Sequence, residues 1–439
     1  MKKVATFLLI SSFCLSEETI ILSLKDAVKC AIENSVEAKI ARATVESAKQ
    51  RIYQANSQLL PRVALEAESG YEKKEGIESY WVDLSGERIE VFMTPSSPWR
   101  NDLILSLKQR LYSGGEITGK IKQAKIQKEY LEYEEGLVEQ KLVFLVTKLY
   151  WELKKAILHI EIISKKVEYF NKMREKAKKR LELGSISEME LREAEARLTQ
   201  AEDTLFQLKA EREYFEGKLA NLLNVKGYPK IVPIDEPEIK PLEMDISFAI
   251  NNALVNNIKL KQQEVTISEK KVALLLAKSA RYPKVELSGE LNYLGIADAY
   301  RKSWDNLKKE DWKIGMNLAY TFYDGNFIQR RIEEENINRE IAKDEYEMTK
   351  REIIQEIKET FQSIQKIEGR YQRLSKSISL AKENLEISCL QHRMGNITED
   401  EVEKREIELS ETETYLMEVK IGREIAKAEL NKLMGIKRR

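Results

Sequence analysis

The chain has little histidine, cysteine or proline, no net charge, and no long apolar run past its N-terminus. Each shortage excludes a class of function. Its two histidines, His159 and His392, are too few and too separated in sequence for a metal site or an acid/base pair, and read as helix-face residues. With no catalytic constellation in view, no enzyme, cofactor or metal is expected. Balanced charge, 73 basic against 73 acidic residues, gives no reason to expect nucleic acid as a partner. No segment after residue 16 is apolar enough for a membrane-spanning helix, so a membrane location would have to be reached by another kind of element. Of the three cysteines, Cys14 falls in the N-terminal segment. Cys30 and Cys389 occupy non-equivalent places in the internal repeat and read as two unpaired buried thiols.

What is present begins with MKKVATFLLISSFCLS, where Lys2 and Lys3 precede an apolar run too short to span a bilayer. This reads as a signal peptide over residues 1–16, with Cys14 and Ser16 at the small-residue positions before the cut. A lipoprotein cut before Cys14 ranks second, because Phe13 is bulky where such sites take a small residue. A third of the residues are charged and Lys and Glu dominate, the composition of long helices with solvated faces.

The stretch SGGEITGKI, Ser113 to Ile121, holds most of a phosphate-binding loop, G-x-x-x-x-G-K. Its last position should be Ser or Thr to hold Mg²⁺, and Ile121 cannot ligate a metal. The preceding DLILSLKQRLY alternates Leu103, Leu105 and Leu107 with polar residues, a strand wet on one side, whereas a phosphate-loop strand is covered on both. A glycine turn from strand to helix is the expected reading.

The chain is written twice. Gly184 and Gly395, Tyr112 and Tyr323, and Leu219 and Leu430 are each 211 residues apart. Nearer the N-terminus the offset is 222, from Pro61 to Pro283 and from Asn34 to Asn256. The first copy therefore carries a longer loop between Pro61 and Tyr112. The second glycine turn reads Asp324, Gly325, Asn326 and lacks the G-K, so a turn recurs where a nucleotide site does not. The copies are assigned to residues 17–227 and 243–439, joined by a proline-rich linker at 228–242.

Both copies follow one order. A helical segment of about 35 residues, Leu24 to Leu59 or Ile246 to Ala280, stops at Pro61 or Pro283. A β-hairpin follows, at about 62–112 and 284–323. Val63, Leu65, Ala67 and Tyr71 line one face in the first, and Val285, Leu287, Leu291 and Tyr293 in the second, which returns with Trp312, Ile314, Met316, Leu318, Tyr320 and Phe322. Trp81, Trp99, Trp304 and Trp312 fall in these windows, where an interfacial aromatic belt would want them. The competing reading is a small soluble sandwich with its apolar faces inward. Beyond the turn, Glu116 to Leu183 is free of proline, long enough for a helix of roughly 100 Å. Leu149, Leu153, Ala156, Ile160, Ile163, Val167 and Phe170 recur at heptad spacing, and the return segment does the same.

Four strands cannot close a barrel, so membrane strands would have to be shared among copies, two giving 8 strands and three giving 12. The duplicated order of AIENS and ALVNN, LLPRVAL and RYPKVEL, the glycine turns after Tyr112 and Tyr323, and the tips RLELGSIS and LQHRMGNIT resembles the TolC-like outer-membrane efflux channel family over nearly the whole mature chain. The family's usual Asn-Pro after the first helix is Asn34-Ser35 and Asn256-Asn257 here. The resemblance implies a mainly α fold with membrane β: duplicated antiparallel coiled-coil hairpins, plus two β-hairpins giving four strands to a 12-stranded homotrimeric barrel. It implies an outer-membrane location facing lipid, a helical tunnel in the periplasm, and docking to a periplasmic adaptor and an inner-membrane transporter of RND or ABC type. The function implied is the exit duct of a tripartite efflux or type I secretion system; the alternative is an exported coiled-coil scaffold without a pore. Docking would use the tips, Arg180, Leu183, Gly184, Ser185 and Ser187 with Met394, Gly395, Asn396 and Thr398. Glu401, followed one turn on by Lys404, falls where the family narrows its aperture. Ser187 with Glu190, and Thr398 with Glu401, have the spacing of capping boxes.

Overall fold

The structure, a computed structural model, describes residues 19–71, 78–84, 86–93, 99–227, 229–238 and 244–436. The expected signal peptide, with Cys14, lies outside the described residues. The elements of the first half are β1 (Thr19–Leu22), α1 (Leu24–Asn34), α2 (Val36–Ser57), β2 (Arg62–Tyr71), β3 (Glu78–Leu84), β4 (Glu87–Met93), β5 (Trp99–Tyr112), α3 (Glu116–Glu182) and α4 (Glu188–Leu223). After β6 (Lys230–Pro233) come α5 (Ile246–Asn256), α6 (Ile258–Ser279), β7 (Lys284–Ala297), α7 (Tyr300–Asp305), β8 (Lys308–Ala319), α8 (Phe327–Arg393) and α9 (Glu399–Leu433). The bounds of α5 and α6 are those of α1 and α2 moved by 222 residues, and α8 is α3 moved by 211. Helices α3 and α8 have 67 residues each, about 100 Å at 1.5 Å per residue.

The single helix expected before each strand is in fact two. Ser35 and Asn257 take extended ψ values of 145° and 124° and interrupt it. Both are good N-caps. Ser35 Oγ accepts the Ala38 N–H at 3.2 Å, and Asn257 Oδ1 accepts those of Lys259 and Leu260 at 2.9 and 3.2 Å. Asn257 also donates through Nδ2 to the Leu433 carbonyl at 2.7 Å, tying the break to the end of α9.

Two compact units emerge, one from residues 1–45, 131–263 and 345–439, the other from 46–130 and 264–344. In the first, Ala27, Ala31, Val146, Leu149, Leu153, Leu219, Leu223 and Ile231 form one core, and Ala249, Ala253, Ile353, Ile357, Leu430 and Leu433 form a second. Small residues on α1 and α5 let those short helices lie close against the long ones. The strands β1 and β6 pair in parallel, an element the sequence reading did not contain. Tyr150 of α3 holds that pair: its hydroxyl lies 3.0 Å from the Leu22 carbonyl and 2.6 Å from Asp235 Oδ2, and burial, then the Asp235 hydrogen bond, raises its pKa. Buried Glu216 accepts from Arg212 and from the Ile231 N–H at 3.3 Å. Cys30 and Cys389 are both free thiols, but half-buried rather than buried as expected.

In the second unit β2, β5, β7 and β8 form one antiparallel sheet in that order. Where the first copy was expected to carry only a longer loop, the ribbon β3–β4 is inserted, and the second copy holds α7 in the corresponding place. The glycine turn leads from β5 into α3, with Gly114 and Gly115 at φ 61° and 90°. A Cβ on Gly114 would stand 2.4 Å from Tyr282 Cβ, so the turn is set by steric space as well as φ. Lys120 is no phosphate ligand: it lies inside α3 and binds Glu116 Oε1 at 2.6 Å, while Lys284 binds Oε2 at 2.7 Å.

Hydrogen bonds from Lys120 and then Lys284 hold the Glu116 carboxyl at about 2, against an ordinary 4.5. A depressed carboxylate stabilises the fold above its unfolded pKa and loses that contribution as pH falls through the folded one. Thermal stability should therefore fall between pH 4.5 and about 2, and Glu116→Gln should be less stable than the parent at pH 7 but nearly equal to it at pH 2. A Gln variant with the parent's full acid profile would assign the loss elsewhere.

Candidate functional site

Register decides which residues share a face of the four-stranded sheet. Leu65, Leu105, Leu291 and Trp312 stand side by side in one row, and Val63, Leu107, Gly289 and Ile314 in the next. Leu287 with Met316 and Val285 with Leu318 continue the same face. It is exposed, Val63 to 61% and Ile314 to 70%, and among the described residues no second sheet covers it as a soluble sandwich would require. The opposite face carries Glu66, Lys108, Glu286, Glu290 and Lys313, interleaved with serine and asparagine.

Aromatic residues frame this apolar band. At one end, Tyr71 and Trp99 pack with ring centroids 5.3 Å apart. At the other stand Tyr112, Tyr282, Tyr320, Phe322 and Tyr323, all exposed, Phe322 to 90%. The expected strand pattern ran on to Phe322, but β8 ends at Ala319, and Tyr320 and Phe322 belong to the rim instead. A bulge between Arg110 and Tyr112 places Tyr112 opposite Val285, on the apolar face, where unbroken alternation would have put it on the polar one. From Trp99 to Tyr112 are 13 steps along β5, about 43 Å at 3.3 Å per residue and about 30 Å across when tilted by 45°, the thickness of a bilayer's hydrocarbon core. Among the described residues, the outer strands β2 and β8 each leave one edge unpaired. No helix among the described residues is long and apolar enough to cross a membrane.

The second feature is the pair of helix tips. After α3, Gly184 at φ 64° donates its N–H to Leu181 O, and Ser185 donates to Arg180 O, both at 2.9 Å; these two bonds close a Schellman turn. Gly395 at φ 76° and Asn396 repeat the pattern on His392 and Gln391. The four turn residues and Arg180, Leu183, Ser187, Met394 and Thr398 all face solvent, Leu183 82% and Met394 71% exposed; Glu401 and Lys404 are exposed as well. The two caps differ. Ser187 Oγ accepts the Glu190 N–H at 3.3 Å and bonds its carboxylate, as the spacing predicts. The Thr398 hydroxyl makes no cap bond, so the second capping box does not form; the Glu401 N–H is taken by the Thr398 backbone carbonyl at 3.2 Å, and His392 Nδ1 sits 3.0 Å from Ile397 O.

Sequence reasoning missed a ladder of ion pairs above the tips. α3 supplies Lys155, Lys166, Lys172 and Lys176, and α9 answers with Glu418, Glu411, Glu403 and Asp400, Lys172 to Glu403 at 2.8 Å. His159 Nε2 lies 2.7 Å from Glu418. Burial, followed by the charges of Asp400 and Glu403, raises the Tyr169 pKa beside it. The signal was a lysine set and an acid set spaced alike in opposite directions, invisible until the two helices are known to be neighbours. Among the described residues no cluster of His, Cys, Asp and Glu could hold a metal ion.

The profile of the family described as "Outer membrane efflux protein" matches residues 27–225 and 249–436. A sequence search of curated proteins found no match. Among solved structures, the fold is similar to the Campylobacter jejuni CmeC outer membrane channel (TM-score 0.74, 17% identity, 94% of this chain and 85% of that one). It is similar also to the outer membrane protein VceC of Vibrio cholerae (0.70, 18%, 94% and 96%). The open-state MtrE outer membrane channel of Neisseria gonorrhoeae aligns at 0.69, with 17% identity over 94% and 89%.

The unequal caps predict unequal mutants. Ser187→Ala should cost about 1 kcal/mol locally and speed hydrogen exchange in the first turn of α4 by roughly fivefold. Thr398→Ala should leave the first turn of α9 unchanged. Equal effects at both tips would contradict the geometry.

Proposed function

The chain belongs to the outer membrane efflux protein family, and from that premise we propose that three copies share one 12-stranded barrel, forming the exit duct of a tripartite efflux or type I secretion system. It is an outer-membrane efflux channel protein, with its long helices on the periplasmic side. The observation that carries the proposal is the sheet: an exposed apolar face framed by aromatics at a bilayer's spacing, with both edges open. Two further copies would supply the missing edge partners, and the polar face would line the lumen.

In this reading residues 17–227 and 243–439 act as equivalent halves joined by 228–242, delivered by a signal peptide at 1–16. The tips, Arg180, Leu183, Gly184, Ser185 and Ser187 with Met394, Gly395, Asn396 and Thr398, dock a periplasmic adaptor. Their exposed apolar side chains and unlike caps suit an uneven contact, as does Gln391 at the place equivalent to Arg180. The adaptor couples the duct to an inner-membrane transporter of RND or ABC type. Glu401 and Lys404 border the inner aperture.

Outer membranes from a Gram-negative host expressing the full chain test the assembly. In detergent, light scattering should give about 150 kDa, three times the 51.0 kDa chain less its signals. A soluble monomer or dimer in the periplasm would overturn the duct and favour a scaffold. In the reconstituted channel Glu401→Lys should shift ion selectivity away from cations; unchanged selectivity would reduce Glu401 to a helix-start acid.

A further inference from the structure

The short helix α7 lies on the apolar face of the sheet, not at its mouth. Asn101 pairs with Gly295 and with Ser69, in the row next to Leu103 and Tyr293, so Asn101 and Gly295 belong to the apolar face. Asn101 donates through Nδ2 to Ser303 Oγ of α7 at 2.5 Å, and both residues are completely buried. A Cβ on Gly295 would come within 2.0 Å of the Ser303 carbonyl oxygen, so the backbone of α7 rests directly on β7 where glycine leaves room. Aromatic rings join it to the rim: Trp99 meets Tyr300 at 5.1 Å, and Tyr300 meets Trp304 at 6.5 Å.

Six residues are too few for a helix stable alone in water. On the same element, half-exposed Tyr300 and partly buried Trp304 accompany exposed Arg301 and Lys302. That mixture, an aromatic body with a charged border, is what settles at the boundary between headgroups and acyl chains. The row carrying Asn101 stands one step, about 7 Å, beyond the last apolar row. With the apolar face of the sheet in a membrane, α7 at that height would meet a lipid surface rather than the lumen or bulk water.

We propose that α7 is an interfacial anchor, seated on the outside of the barrel and inserted into the headgroup boundary at the end of the sheet far from the helices. The proposal rests on the membrane reading of the sheet, and the test separates the two. Two variants of the full chain keep a single tryptophan, Trp304 or Trp312, with the other four of the five replaced by Phe, and each is reconstituted in vesicles of brominated phosphatidylcholine. Lipid bromines should quench both, bromines near the glycerol acting best on Trp304 and deeper ones on Trp312, while aqueous iodide quenches neither. Gly295→Val in the Trp304 variant should lose lipid quenching and gain iodide quenching; unchanged quenching there would overturn the seating of α7 on β7. Quenching of Trp312 by lipid with Trp304 open to iodide overturns the anchor alone. Loss of lipid quenching at both sites overturns the membrane sheet and the anchor with it.

Discussion

A strand at the edge of a sheet carries a row of N–H and C=O groups without partners, and β2 and β8 are both such strands. Water can satisfy that row; lipid cannot, at a cost of several kcal/mol per group. The face joining these edges is leucine, valine, isoleucine and methionine, and it is exposed. Water is therefore the wrong solvent for the face and lipid the wrong solvent for the edges. Both demands are met only when the edges pair with other strands while the face stays in lipid. Within the sheet, the bulge before Tyr112 disrupts the ladder locally and sends that ring to the apolar rim.

In the helices, duplication does the structural work twice with unequal means. Both long helices end in the same Schellman turn, and both short helices break at a capping residue. Yet Ser187 caps and Thr398 does not, and the lysines of α3 face acids of α9 with no exchange of roles. Two copies that began equivalent have thus become complementary: one hairpin carries the positive side of the ladder and the other the negative. A charge-paired seam between helices is orienting more than strengthening, since exposed pairs are worth about 1 kcal/mol or less.

The parts legible in the sequence were those with a period or a punctuation mark. Alternation placed β2, β5, β7 and β8; glycine placed Gly114, Gly184 and Gly395; and the 211 and 222 offsets recur in the bounds of α3 and α8 and of α1, α2, α5 and α6. The misses share a physical origin in long-range partners. Ser35 and Asn257 break helices because buried neighbours accept the break, as the Leu433 carbonyl does for Asn257, and nothing local forbids the helix to continue. β1 and β6 are only four residues each and pair across some two hundred residues of chain. Thr398 had the right spacing for a capping box, but the rotamer that would close it is not taken, which no spacing rule contains. Of the tip residues and of Glu401 and Lys404, sequence supplied identity and exposure; a docking role depends on a partner's surface and lies in no single chain.

The polar face of the sheet also limits what a duct built from it can do. Along it Arg62, Lys108, Arg110 and Lys313 are interspersed with Glu66, Asp102, Glu286, Glu290 and Asp311, and register sets Glu290 beside Lys313 and Arg110 beside Glu286. Opposite charges one strand apart cancel each other's field within a few ångströms, and a wide, wet lumen screens the remainder over about 8 Å. Such a wall repels neither anions nor cations. Discrimination among cargoes then has to arise where the passage is narrow enough for single charges to act, or in the proteins that load it, and the first turn of α9, past the second tip, gathers Glu399, Asp400 and Glu401. Of these Asp400 is already held by Lys176. In the proposed duct, Glu399 and Glu401 are then the acids of that turn left to act on a passing charge.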